Sequence, residues 1–278
     1  MTDSRTVAVI GLGLIGGSVA RALSANGIDV IAYDRNQESI RAAIGEGVVK
    51  RAVDEHLDGI SEAETIVVAL PGDAARELIQ RSANAFSQAR LVMDVGSAKR
   101  LVLRVAEDAG IGMKFVGCHP LAGDHRSGWV SSRPDMFRGH EVFLCASSRT
   151  SDEVLRDAGE FWKSLGGLPV VVDAVAHDAR MAWVSHLPHI LSSSLALTLF
   201  DAGLSRAELG PGGRDMTRLA GSSPDMWTAI AQENAVAITD AISMFEHRLA
   251  ALKTAVARGD AESFREQFSA GCEWFLDA

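Results

Sequence analysis

The segment Gly11, Leu12, Gly13, Leu14, Ile15, Gly16 sits between an apolar run at 7–10 and a helical pattern, and a second apolar run then ends at Asp34. Few folds accommodate strand, glycine turn, helix and strand in that order. Gly11 permits the tight turn, Gly13 lets a pyrophosphate approach the backbone, and Gly16 lets the helix pack closely on the strand. The helix N-terminus presents free N–H groups to the phosphates. Asp34 falls where a carboxylate meets an adenosine ribose; it accepts from both hydroxyls and repels a 2′-phosphate, so NAD is expected over NADP. Arg35 beside it keeps NADP possible. A glycine-rich turn without nucleotide is the competing reading, and the flanking order weighs against it.

Further apolar runs occur at 65–70, 91–95, 114–117, 141–144 and 169–172, with helical stretches at 74–86, 99–109 and 152–165 between most of them. Near-continuous apolar strands alternating with helices predict an α/β fold, an N-terminal doubly wound, mostly parallel Rossmann sheet buried on both faces. That domain is expected over residues 1–172. After Asp173 the β-branched runs stop, and residues 173–278 read as an all-helical second domain. One of its helices carries Ile238, Ile242, Phe245, Leu249, Leu252 and Val256 at helical spacing. This stripe suits an intradomain core, or an interface across a dimer two-fold.

Composition narrows the partners. A net charge of −9 argues against nucleic acid or an anionic membrane surface, since both need a basic field. An anionic substrate therefore requires local cations. Three cysteines, Cys118, Cys145 and Cys272, at wide spacings fit neither a disulfide framework nor a structural zinc site, so a reducing cytoplasm is expected. The first strand is predicted within a few residues of Met1, so no leader is expected, and no apolar run reaches transmembrane length.

In open α/β sheets, ligands bind beyond the carboxyl ends of the strands. Leu70 and Pro71 follow one predicted strand and are expected beside the cofactor. Ser97 follows another and reads as the N-cap of the next helix, where its hydroxyl could also hydrogen-bond a substrate. His119, directly after a third strand and braced by Pro120, is the best candidate for a general base, because its unperturbed pKa near 6.5 suits proton removal from an alcohol. In the helical part, Ser185, His186 and His189 form a polar wall or a pair of core histidines, with Pro188 kinking the helix. Neither a metalloprotease glutamate nor a cysteine pair accompanies them, so no metal is expected. Arg214 and Arg218 supply cations suited to a carboxylate, or else to surface ion pairs with Asp215 or Asp225.

Taken together, GLGLIGGS at 11–18, DVGSAK at 94–99, GCHPLAG at 117–123, SHLPH at 185–189 and GRDMTRLA at 213–220 strongly resemble the prephenate/arogenate dehydrogenase family of tyrosine biosynthesis. The matches span nearly the whole chain in the family's order. The resemblance implies a Rossmann domain joined to a helical dimerisation domain, and the oxidative decarboxylation of prephenate or arogenate with NAD. It implies that His119 polarises the ring hydroxyl with help from Ser97, and that His189 is the second-domain active-site histidine. It further implies that Arg218 holds the substrate carboxylate, with Asp215 nearby and Trp227 as an apolar wall; Arg214 and Ser185 are further candidate substrate-binding residues. After Gly123 the family commonly has Thr-Glu or Pro-Glu, whereas this chain has Asp124, His125 and Arg126. An ionised Asp124 would favour the ammonium of arogenate, and an inward His125 or Arg126 the ketone of prephenate. Prephenate is the marginal choice, and use of both is open.

Two other functions compete. Another dehydrogenase of Rossmann-plus-helical build, acting on a β-hydroxy acid or an imine, often uses a lysine where this chain has Ser185, His186 and His189. A catalytically idle NAD-binding sensor predicts loss of the reactive groups, and His119, Ser97 and Arg218 are all present.

Overall fold

The computed structural model describes residues 6–123 and 126–277. The first part of the chain builds one eight-stranded sheet. Its strands are β1 (Thr6–Ile10), β2 (Asp29–Tyr33), β3 (Arg51–Ala52), β4 (Thr65–Val68), β5 (Leu91–Asp94), β6 (Phe115–Pro120), β7 (Glu141–Ala146) and β8 (Leu168–Val171). Their spatial order is β3-β2-β1-β4-β5-β6-β7-β8. The helices between them are α1 (Leu14–Ala25), α2 (Gln37–Gly45), α3 (Gly72–Ser82), α4 (Arg100–Asp108) and α5 (Asp152–Ser164). The order reverses between β1 and β4, which opens a crevice at their carboxyl ends.

Alternation along the strands sends side chains to two separate cores. Val7 and Val9 join Val19, Leu23 and Trp162 on one face, while Ala8 and Ile10 join Ile79, Phe86 and Val102 on the other. The expected doubly wound sheet is therefore present, with two differences at its edges. The two-residue β3 is too short to leave a periodicity in the sequence. The edge strand β8, last in the described sheet, is not buried on both faces: Leu168 is 53% and Val171 62% exposed.

All pairings are parallel except that of β6 with β7, where His119 lies opposite Phe143 and Pro120 opposite Val142. This antiparallel pair lengthens β6, so His119 stands within the strand rather than after it. It also keeps the connection to β7 at the carboxyl end of the sheet, where its described residues 129–133 fold over α1. There Arg21 donates to Ser132 Oγ at 2.8 Å and lies over the Trp129 ring at 4.1 Å, and the Arg133 amide donates to Ser18 Oγ at 3.0 Å.

From Asp173 onward the described chain is helical: α6 (Ala174–Met181), α7 (Leu187–Asp201), α8 (Pro211–Met216), α9 (Pro224–Glu233), α10 (Ala235–Arg258) and α11 (Ala261–Leu276). Asp173 caps α6, its carboxylate accepting from the amides of Val175 and Ala176 at 2.9 Å. A wide π turn, Ala182–His186, leads into α7. Pro188 thus falls in the first turn of α7, and the widened turn before it absorbs the missing N–H that would otherwise kink a continuous helix. The α10 stripe does not form one face of one core. Ile238, Ile242 and Phe245 pack with Ala182, Leu187 and Ile230, whereas Leu249 and Val256 are exposed in this chain.

Candidate active site

The glycine turn is built as its spacing requires. Gly11 has φ +95°, and a Cβ there would meet Ala69 O at 2.3 Å. A Cβ on Gly16 would meet Gly11 O at 1.9 Å, whereas one on Gly13 would meet nothing within 4 Å. Gly13 thus faces open space at the N-terminus of α1, whose first turn has no capping side chain. Leu12 is fully buried, and Leu14 and Ile15 pack on the core. Asp34 is held in place by its own neighbours, Oδ2 accepting from the Leu12 amide and Oδ1 from the Asn36 amide at 2.6 Å. Beside it, Tyr33, Arg35, Ala52 and Val53 line a cavity of about 510 Å³. Uncapped amides, room at Gly13 and a fixed carboxylate fit a dinucleotide. Across the crevice, Leu70 packs on the core, and Pro71 stands at the N-cap of α3. Glu233 of α9 reaches this turn, packed against Gly72 and ion-paired with Arg76.

The sheet's carboxyl edge also carries a chain of three side chains. His119 Nδ1 lies 2.9 Å from His177 Nε2, and His177 Nδ1 lies 2.8 Å from Asp178 Oδ1. Hydrogen-bond accounting fixes the tautomers. A carboxylate only accepts, so His177 carries its proton on Nδ1; its Nε2 then accepts from His119 Nδ1–H, leaving Nε2 of His119 as the free lone pair. Burial, then the neighbouring His177, Lys99 and His186, hold the His119 pKa well below the usual histidine range. Burial alone would raise the Asp178 pKa. Hydrogen bonds from His177 and from the Arg100 and Lys99 amides outweigh it and keep Asp178 below its ordinary value.

Those amide bonds correct the expectation for Ser97, which does not cap the helix. The helix begins at Arg100, and the amides of Lys99 and Arg100 donate to Asp178 at 2.8 and 3.0 Å, so a carboxylate from α6 caps α4 across the structure. Ser97 remains in the same loop, half-buried. Lys99 is fully buried; its ammonium donates to Asp94 Oδ2 at 2.5 Å and to Cys118 O at 2.8 Å, joining the ends of β5 and β6. Burial raises the Asp94 pKa, and Lys99 opposes it.

His186, which ends the π turn, and His189, in the first turn of α7, separate in role. His186 is a core group: Asn234 Nδ2 donates to Asp178 O at 2.7 Å and lies 3.2 Å from His186 Nδ1, and burial brings the His186 pKa down to about 4. His189 donates through Nδ1 to Ser185 O at 2.9 Å and stacks on Trp227, ring centres 4.1 Å apart. His189 and Arg218 line a cavity of about 1050 Å³ next to Gly123. Arg214 does not join them, because it is turned to Ala207 O at 3.0 Å, and Asp215 is exposed. The alternative reading, a surface ion pair of Arg218 with Asp215 or Asp225, is not formed among the described residues. Asp124 and His125 lie outside the described residues, and Arg126 is exposed. No cluster of metal-ligating side chains occurs among the described residues.

Sequence reasoning missed His177, Asp178, Asn234 and Lys99. The available signal was an adjacent His-Asp pair in the first turns of the helix that follows the last strand.

A nucleotide cradle facing a histidine chain across one crevice defines a nucleotide-dependent oxidoreductase with a helical second domain. Comparison with known proteins narrows the class. The family model described as prephenate dehydrogenase, nucleotide-binding domain, matches residues 19–171, and that described as prephenate dehydrogenase, dimerization domain, matches 173–270. The chain belongs to the prephenate dehydrogenase family. It is 30% identical to a prephenate dehydrogenase of Bacillus subtilis, over 95% of this chain and 73% of that protein. It is also 30% identical to a cyclohexadienyl dehydrogenase of Zymomonas mobilis, over 96% of this chain and 94% of the other. The crystal structure of prephenate dehydrogenase from Aquifex aeolicus, in complex with hydroxyphenyl propionate and NAD+, superposes with a TM-score of 0.90 at 29% identity, covering 98% of both chains.

Proposed function

We propose that this chain is an NAD-dependent prephenate dehydrogenase, converting prephenate to 4-hydroxyphenylpyruvate and CO2. The observation that carries the reading is the orientation of His119, whose free Nε2 is backed by His177 and Asp178. Bound nicotinamide would take the hydride from C4 of the ring as CO2 leaves C1 and the ring becomes aromatic. His119 Nε2 accepts the proton of the C4 hydroxyl and returns it to the phenolate oxygen left once the ring is aromatic. The positive charge that develops on His119 is stabilised through Nδ1–H by His177, itself held by the Asp178 carboxylate. Ser97 orients the same hydroxyl from the neighbouring loop. Arg218 holds a substrate carboxylate, and His189 with Trp227 forms the wall against the ring, with Ser185 fixing the His189 tautomer.

Asp34 selects NAD: its carboxylate is preset by the Leu12 and Asn36 amides to meet a ribose diol. The Rossmann part ends at 172 and the helical part carries dimerisation, with the exposed Leu249 and Val256 facing a second copy of the chain. No described helix is long and apolar enough to cross a membrane, and a reducing cytoplasm suits the three free cysteines. The test is a steady-state assay of reduced-cofactor absorbance with prephenate and arogenate, each with NAD and NADP. The expected outcome is the highest kcat/KM for prephenate with NAD.

A further inference from the structure

The large cavity beside His189 carries a charge arrangement that a single carboxylate-binding arginine does not use. Its wall bears two guanidinium groups, Arg206 and Arg218, and no Asp or Glu among its described lining residues. In a chain with 36 acidic against 27 basic residues, that is a local reversal of charge. Neither arginine has an ion pair or hydrogen bond to a described residue.

Arg206 stands on a turn that is itself tightly fixed. Ser205 and Glu208 form a reciprocal capping box, Glu208 Oε2 accepting from Ser205 N and Oγ at 2.7 Å. Arg214 pins the same turn by donating to Ala207 O. Glu208, the acid nearest in sequence, is therefore committed to Ser205, and the Arg214 guanidinium is committed to backbone. The turn is held while its Arg206 is left without a partner among the described residues.

We propose that Arg206 is the second carboxylate anchor of this cavity, so that the site takes a dicarboxylate with Arg218 on one carboxylate and Arg206 on the other. The inference rests on the proposed function: prephenate carries one carboxylate on ring carbon C1 and another on its side chain. A guanidinium fork matches each carboxylate geometrically, and a ligand with only one leaves an arginine without a counter-charge.

The test compares Arg206→Gln, Arg206→Lys and Arg218→Gln in prephenate turnover, and in competitive inhibition by 4-hydroxyphenylpropionate, with one carboxylate, and 4-ethylphenol, with none. Arg206→Gln is expected to raise the KM for prephenate about 10-fold or more with kcat within about threefold, and Arg206→Lys to recover part of that loss. Inhibition by 4-ethylphenol stays unchanged, and the one-carboxylate inhibitor weakens in only one of the two Gln variants. An unchanged KM in Arg206→Gln overturns the second anchor. So does an equal loss for 4-ethylphenol, which marks general distortion, or a KM change that tracks an altered sedimentation coefficient, which marks an interface residue. Wild-type turnover is measured first: its absence overturns the proposed function, whereas turnover with an unchanged Arg206→Gln KM overturns the anchor alone.

Discussion

His119 on β6 and His177 on α6 meet ring to ring, Nδ1 to Nε2 at 2.9 Å, although 58 residues separate them in the chain. The contact joins the strand that carries the proposed base, His119, to the first helix of the helical part. It also makes the base's tautomer depend on Asp178, which at the same time caps α4.

Removing either histidine therefore has graded consequences. His119→Asn is expected to lower kcat by about 10²-fold or more with NAD affinity nearly intact, and His177→Asn by about 10-fold or more. The double variant should fall little below His119→Asn alone, because the two act as one unit. Single-turnover rates with NAD titrations measure all three, and fully multiplicative losses would separate the residues.

The pH profile follows from the neutral state of His119. Its pKa is lowered in the folded protein, so the base remains unprotonated as pH falls through the usual histidine range near 6.5. The acid limb of kcat/KM should therefore have its midpoint well below 6.5, and a midpoint at or above 6.5 would contradict the burial argument.

Stability carries a related signature from His186, whose folded pKa is about 4 against an ordinary 6.5. Between those values the unfolded chain binds the additional proton, so stability is fully present above about pH 6.5 and is lost as pH falls towards about 4, at up to about 1.4 kcal/mol per pH unit. Urea midpoints at pH 7 and 5 read this slope together with that of His119, and His186→Asn should make it shallower.

Much of this was legible in the residues. The glycine turn, Asp34, the loop holding Ser97 and the segment around His119 were visible because each is a local pattern at the carboxyl end of a strand, although His119 itself lies inside β6. The His177 and Asp178 contribution was not, since its meaning depends on where α6 docks against β6, a tertiary fact without periodicity. Ser97 was misread as a cap because the true cap, Asp178, comes from a helix about 80 residues later in the chain. The α10 stripe was read as one face because spacing reports helix geometry and not which part of a long helix finds a partner.

The glycines of the cradle separate binding from folding. Gly13→Ala is expected to keep the wild-type Tm, since its Cβ has open space, while weakening NAD by about 10-fold or more. Gly16→Ala places a Cβ against Gly11 O and should lower Tm by several degrees. Calorimetry and NAD titration of the pair would show the opposite order if Gly13 served only the fold.

Lys99→Met leaves Asp94 buried without its counter-charge and is expected to cost about 3–5 kcal/mol. Adding Asp94→Asn should recover part of that loss, because it removes the isolated charge. Chemical denaturation of the two variants checks this; a double variant no more stable than Lys99→Met would mean that the pair acts through packing.

The most direct measurement of the central claim is prephenate-dependent NAD reduction by the wild-type protein and by His119→Asn, with CO2 collected alongside. The expected result is one CO2 per reduced cofactor in the wild type and a rate about 10²-fold lower or more in the variant. No wild-type turnover, or a variant with the wild-type rate, would contradict it.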